Sequence, residues 1–174
     1  DNVDAGSEDY FEVLDARPFG AADNDRRVLA LSHGSRQILE RLDTWQQIDA
    51  TPIASIHVSQ QGRLGRTLIR AQDASVPALG YVAEAGALGA SLACACTAAG
   101  VALRHGTRVT HSEADADRAL LHCATTRGSE DTQARLIAWA EGAVSGESDV
   151  VRRDYGQQAI VATVQTRGSP AGIA

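Results

Sequence analysis

Two stretch ends carry the residue types best suited to hold a nucleotide. The first is Asp15. It closes the apolar stretch at residues 10–14 (Tyr-Phe-Glu-Val-Leu) and is followed by Ala16, Arg17 and Pro18. In a dinucleotide-binding α/β fold the second strand ends in an acid that hydrogen-bonds the ribose hydroxyls, and Asp15 fits that place. The competing reading is an aspartate that forms the turn after a strand. The second is the run Leu136-Ile137-Ala138-Trp139-Ala140-Glu141-Gly142. A glycine there lets the backbone approach a ligand, and the acid can accept from ribose or a bridging water. A strand followed by an ordinary turn would look the same.

Other chemistry has weaker support. Gly86-Ala87-Leu88-Gly89 opens a helix, but it is only G-x-x-G, and Glu84 stands where a dinucleotide fingerprint wants its first glycine. Small residues at that place read as close helix–sheet packing. The histidines His33, His57, His105, His111 and His122 are dispersed, with no metal-ligand spacing to each other or to a cysteine. They read as surface or satisfied core side chains. No G-x-S-x-G supports a serine hydrolase. Cys94 and Cys96, two apart in a helix, point to different faces. Cys123 lies alone in a strand. Three cysteines without C-x-x-C argue against a disulfide framework or a zinc site and suit buried or inert thiols in a reducing cytosol.

The elements that must position these residues alternate in type. A strand over residues 10–14 gives way to a Pro-, Gly-, Asn- and Asp-rich loop at 18–26. Ile38, Leu39 and Leu42 line one face of a helix that starts near Ser35, with Ser32 or Ser35 as its cap. Residues 53–59 alternate as a strand and turn through 60–63 into a second strand at 66–70. A strand at 78–82 leads into an Ala-rich helix at 85–99, closed by Gly100. A strand at 101–104 is followed by three more, at 107–115, 118–126 and 132–139. Residues 134–140 are nearly all apolar, as for a strand buried on both faces. A last strand is expected at 158–165. The fold class is α/β with a portion of antiparallel sheet.

Composition narrows the function. The chain has 174 residues, enough for one domain with its own core, and 44% of them are apolar. Aromatics are only 4%, so the core must rest on Ala, Leu, Val and Ile. A net charge of −6 with scattered arginines speaks against a nucleic-acid partner, which needs a clustered basic surface. No apolar run is long enough to span a bilayer, and no signal-peptide pattern is present. The chain starts at Asp1 and holds no Met, which reads as a fragment.

Taken in order, the pieces resemble one known family. The stretch Asp25-Arg26-Arg27-Val28-Leu29-Ala30-Leu31-Ser32-His33-Gly34-Ser35-Arg36-Gln37-Ile38-Leu39-Glu40-Arg41-Leu42, then Trp45, is similar to the segment after the second strand of ubiquinone-biosynthesis flavin hydroxylases of the 2-polyprenyl-6-methoxyphenol hydroxylase type. Pro52-Ile53 through Val58-Ser59, then Gly62, resembles the next strand pair. Leu79-Gly80-Tyr81-Val82-Ala83-Glu84 resembles the family's LGxVxE stretch. Residues 136–142, then Asp154-Tyr155-Gly156-Gln157-Gln158 onward, resemble its second nucleotide motif and the strand after it. The order and spacing agree over residues 12–168.

The resemblance implies a para-hydroxybenzoate-hydroxylase-like fold, here a single partial FAD-binding domain over 1–174. It implies an FAD-dependent monooxygenase that uses NAD(P)H and oxygen to hydroxylate the ring of a polyprenylated phenol. It also implies a cytoplasmic protein that meets the inner membrane, or a ubiquinone-pathway complex, peripherally. By position, Asp15 would take the FAD ribose and Arg17 would sit close to it. Arg27 would reach the pyrophosphate or ribityl region, and Glu141 and Gly142 would occupy the family's Asp-Gly motif. Three features depart from the pattern. Glu141 replaces the aspartate, the arginine sometimes found after Ser145 is absent, and Ala87 stands where a polar cofactor-facing residue is common. The glycine-rich loop expected before Asp15 and the Gly-Asp motif expected after Ala174 are not in the chain, so the fragment alone is expected to be inactive. Two other readings stay open: a non-catalytic α/β nucleotide-binding or interaction module, and a flavin hydroxylase of a different aromatic substrate.

Overall fold

Two short helices organise the first half of the chain, and both stop by the same device. Helix α1 (His33–Arg41) starts at Ser32, whose hydroxyl accepts the Ser35 N–H at 3.0 Å. It ends where Asp43 turns left-handed, at φ 53°. The Asp43 N–H then donates to the Glu40 carbonyl and the Thr44 N–H to the Leu39 carbonyl, at 3.1 and 3.0 Å. Helix α2 (Ala85–Ala98) ends likewise, with Gly100 at φ 78°, Gly100 donating to Thr97 at 3.1 Å and Val101 to Cys96 at 2.9 Å. Both are Schellman closures, in which paired 6→1 and 5→2 bonds satisfy the last carbonyls.

A computed structural model describes residues 10–21, 24–59, 62, 64–140, 153–158 and 167–168. Strand β1 (Glu12–Asp15) comes first, then β2 (Val28–Ser32), α1, β3 (Ala50–Ile53), β4 (Ser55–Ser59), β5 (Arg66–Arg70), β6 (Gly80–Glu84) and α2. Strands β7 (Ala102–His105), β8 (Arg108–Ala114), β9 (Ala119–Thr125) and β10 (Gly128–Ala134) follow. They form a parallel β1–β7 pair, an antiparallel β2–β6–β3 sheet, a β4–β5 hairpin and a β8–β9–β10 meander. The architecture is mixed α/β with antiparallel sheet, as the sequence implies.

The core lies between the β2–β6–β3 sheet and the two helices. Leu39, Ile48 and Ala83 form its centre, with Leu31, Trp45, Ala50, Leu88 and Leu92 packed around them. Small residues let α2 approach, and Gly86 and Ser91 are buried on it. A polar pin secures the corner: the Ser91 hydroxyl donates to the Thr44 carbonyl at 2.8 Å, and the fully buried Thr44 hydroxyl donates to Leu39 at 2.9 Å. Two of the scarce aromatics, Trp45 and Tyr81, meet edge-on beside it. Arg36 lies over the rings of Trp45 and Tyr81, pairs with Glu40 and donates to the Tyr81 hydroxyl.

Two sequence expectations need correcting, and one strand went unassigned. Residues 28–32 form a strand, β2, which the helix and loop signals around it obscured. The strand expected at 53–59 is broken at Ala54 into β3 and β4. The strand expected at 132–139 instead spans Gly128–Ala134, and residues 135–140 are irregular, with Leu136 85% and Trp139 53% exposed. Polar residues 128–133 look like a loop in sequence, yet they form the outer strand of the meander, with most side chains in water. The strand expected at 158–165 runs outside the described residues.

Candidate cofactor site

The site grows from the end of β1. There the parallel partner β7 places His105 opposite Asp15. The strands stay tied beyond their ends: Gly106 N–H donates to the Arg17 carbonyl at 2.8 Å and Thr107 N–H to the Asp15 carbonyl at 3.0 Å. Gly106 is left-handed, at φ 65°, which lets the chain double back at this point. The outer end of a parallel strand pair is where open α/β sheets bind ligands.

Asp15 and Arg17 form a tight local clip. The Asp15 carboxylate accepts the Arg17 backbone N–H at 2.9 Å, Nε at 3.1 and 3.2 Å, and Nη2 at 2.9 Å. Asp25 and Arg27 repeat this arrangement: the backbone N–H donates at 3.1 Å, Nε at 2.9 and 3.0 Å, and Nη2 at 2.6 Å. Each is a D-x-R unit in which the aspartate closes an Asx turn and a guanidinium fork grips both its oxygens. The Arg17 guanidinium holds the Asp15 carboxyl below the usual carboxylate range, and Arg27 pulls Asp25 down to about 2. The two clips lie within electrostatic reach of each other, for Arg17 also feels Asp25 and Arg27. Both guanidinium groups remain largely open to solvent, 60% for Arg17 and 78% for Arg27.

Helix α2 fixes the second clip. Its first N–H groups, Ala85 and Gly86, donate to the carbonyls of Arg27 and Asp25 at 2.8 and 2.9 Å. The G-x-x-G stretch therefore uses its leading donors on the protein's own loop, in keeping with a packing role. At the first clip the buried Nδ1 of His105 has no partner, and the exposed Phe19 ring meets the His105 ring edge-on at 5.3 Å. An orphaned buried nitrogen beside a charged strand end suits a site shaped for a polar ligand.

Of the residues expected from sequence, Asp15 and Arg17 share one clip, and Arg27 stands in the other, whose charges Arg17 feels. Glu141 and Gly142 lie outside the described residues. Asp25, His105 and Phe19 join the site without having been singled out. The repeated D-x-R spacing is a signal that could have found Asp25, and Phe19 lies only two residues beyond Arg17, whereas His105 arrives through tertiary pairing. The cysteines differ in cover: Cys123 is buried and its thiol is pushed up by burial, Cys96 is half-buried and Cys94 is exposed. Among the described residues, no group of three or more His, Cys, Asp or Glu stands ready to hold a metal, and no helix is long and apolar enough to cross a membrane.

No protein-family model matches the chain. Solved structures do. The p-nitrophenol 4-monooxygenase PnpA from Pseudomonas putida DLL-E4 aligns with a TM-score of 0.56 at 16% identity, over 71% of this chain and 32% of that one. CabE, an aromatic hydroxylase from angucycline biosynthesis, aligns with 0.52 at 14% identity, over 72% and 24%. A flavoprotein/dehydrogenase from Cytophaga hutchinsonii aligns with 0.51 at 13% identity, over 72% and 32%. The chain therefore spans about a quarter to a third of the length of these neighbours. At such identities the likeness establishes the fold alone: a part of each of these proteins shares this mixed α/β architecture.

Proposed function

We propose that the whole protein is an FAD-dependent aromatic monooxygenase and that this chain supplies the adenosine side of its cofactor site. The observation that carries the reading is the Asp15–Arg17 clip at the outer end of β1–β7, with the Asp25–Arg27 clip within its electrostatic reach. The residues fit the nucleotide half of the cofactor. Asp15 offers carboxylate lone pairs to the ribose hydroxyls beyond those used by Arg17. Arg17 and Arg27 offer solvent-facing guanidinium groups to the diphosphate, and the orphaned His105 Nδ1 offers one more polar contact. When bound, the flavin supplies the redox chemistry of ring hydroxylation, with NAD(P)H as electron source. The chain's own part is to bind and orient. The clips hold their guanidinium groups in place before any ligand arrives, which lowers the ordering cost of binding.

The finer substrate reading, a polyprenylated phenol of ubiquinone biosynthesis met at the membrane face, draws its support from the sequence stretches at 25–45 and 79–84. The hydroxylases among the structural neighbours are named for other aromatic substrates. One set of assays tests both levels. In the full-length protein, Asp15→Ala is expected to weaken FAD binding by about 1–3 kcal/mol through a lost charged hydrogen bond. FAD affinity unchanged by the substitution would remove Asp15 from the site. NAD(P)H-driven turnover of a polyprenylphenol, read by product mass, supports the substrate reading. Turnover of a simple hydroxybenzoate alone replaces that substrate and leaves the monooxygenase reading standing.

A further inference from the structure

The outer face of the meander assembles side chains that sequence spacing keeps apart. His111 on β8 pairs directly with His122 on β9, and His122 pairs in turn with Asp131 on β10. A bulge makes this possible. Val109 faces Cys123 and His111 faces His122, so Thr110 is the extra residue between them. In an unbroken register His111 would turn toward the buried Leu121 and Cys123 face; the inserted residue re-aims it outward. The Thr110 hydroxyl fastens the bulge by donating to the His122 carbonyl at 2.9 Å.

The two imidazoles lie nearly parallel, 15° apart, with centroids 5.7 Å from each other. Their Nε2 atoms flank one oxygen of Glu113, at 3.5 Å from His111 and 3.8 Å from His122. On the far side of His122, Asp131 holds Nδ1 at 2.8 Å. A carboxylate on Nδ1 fixes the proton there in the neutral ring and leaves Nε2 as a lone-pair donor. The His122 Nε2 is thus free to donate its lone pair, and the facing His111 ring can present a second. A small tilt of the two rings out of their stack would turn both Nε2 atoms onto one ion.

We propose that His111 and His122 form a two-imidazole surface chelate for a late first-row divalent metal ion, with Glu113 balancing its charge and Asp131 positioning His122. Directly opposed residues of an antiparallel pair have Cβ atoms about 4.5–5.5 Å apart, a span from which two rings can tilt onto one ion. The carboxylate–histidine arrangement at Asp131 is the one that orients metal-ligating imidazoles in established sites. Imidazole donors favour copper, nickel and zinc over magnesium or calcium. A bound ion would clip β8 to β9 at the bulge, where the ladder is interrupted. The inference does not rest on the flavin reading, because the pair lies on the meander and uses none of the clip residues.

The test is calorimetric titration of the tag-free protein with CuCl2, NiCl2 and MgCl2 at neutral pH. One site per chain is expected, tighter for Cu2+ than for Ni2+, with no Mg2+ binding. His111→Asn and His122→Asn should each weaken Ni2+ at least about tenfold, and Asp131→Asn about 10–100-fold, as for lost partners of ligating histidines. His57→Gln, on the separate β4–β5 hairpin, should change nothing. Nickel binding that survives in the His111→Asn/His122→Asn double variant would belong to another group, such as the exposed Cys94 thiol, and would overturn the proposal. Equal binding of Mg2+ and Ni2+ would also overturn it, since that is carboxylate behaviour.

Discussion

Residues 80–98 and residues 134–140 are both rich in small and apolar side chains, yet the structure treats them oppositely. Residues 80–98 form β6 and α2 and are covered: β2 and β3 flank the strand, and Ala83 sits 3% exposed under Leu39 and Ile48. Past Ala134, β10 stops, and Leu136 and Trp139 face solvent. Among the described residues, no strand lies beside them. The difference teaches that apolar composition is only a demand for cover. Whether a stretch becomes a strand or helix depends on a neighbour that meets that demand, because its backbone groups and side chains must both be satisfied.

Truncation in each region should separate them most widely. Leu39→Ala removes a side chain that is 8% exposed and leaves a cavity against Ile48 and Ala83. It should cost about 2–5 kcal/mol in denaturant unfolding. Leu136→Ala, at 85% exposure, should stay within about 0.5 kcal/mol. Equal losses at the two sites would break the comparison, since Leu136 would then be covered in solution.

A smaller effect probes how tightly the covered region is fitted. Gly80 opens β6, and a Cβ there would meet the Leu31 carbonyl oxygen at 2.7 Å. The obstacle is backbone of the neighbouring strand rather than a movable side chain. Gly80→Ala should therefore destabilise by about 1–3 kcal/mol through overpacking. A neutral Gly80→Ala would mean that β2 and β6 can part without loss, and that the sheet is less tightly held than its register implies.

The contrast between covered and uncovered stretches also explains what was legible in the sequence. Helix α2 and its Gly100 stop, the β4–β5 turn and the β8–β9 pair could be read because local periodicity and turn chemistry agree with the fold there. The end of β1 at Asp15 could be read because an acid followed closely by Pro18 marks a strand's stop. The His111–His122 pair could not: its ring stacking depends on a one-residue bulge, and spacing alone puts the two histidines eleven positions apart. Strand β2 was hidden because Val28, Leu29 and Ala30 are exposed, so no one-sided apolar stripe marks them. His105 meets the end of β1 only through the β1–β7 pairing, which joins residues some ninety positions apart, as Asp15 and His105 are.

The smallest expected effect concerns charge in an uncovered place. The Asp25–Arg27 clip lies at the surface, its guanidinium open to water, unlike the Ser91–Thr44 pin inside the core. Arg27 nonetheless pulls the Asp25 carboxyl down to about 2, because the fork and the backbone N–H both bind its ionised form. A lowered folded-state value means the clip's contribution is present above the unfolded carboxylate range near 3.9 and is lost as pH falls through about 2. Carboxyl-carbon NMR titration should find Asp25 still ionised at pH 3, and Arg27→Gln should return it toward 3.9. Thermal stability at neutral pH should barely move with that substitution, because exposed ion pairs are screened by solvent and salt. If Asp25 titrates normally in the unsubstituted protein, the clip opens in solution. The guanidinium of Arg27 would then have to be ordered by its ligand rather than before it.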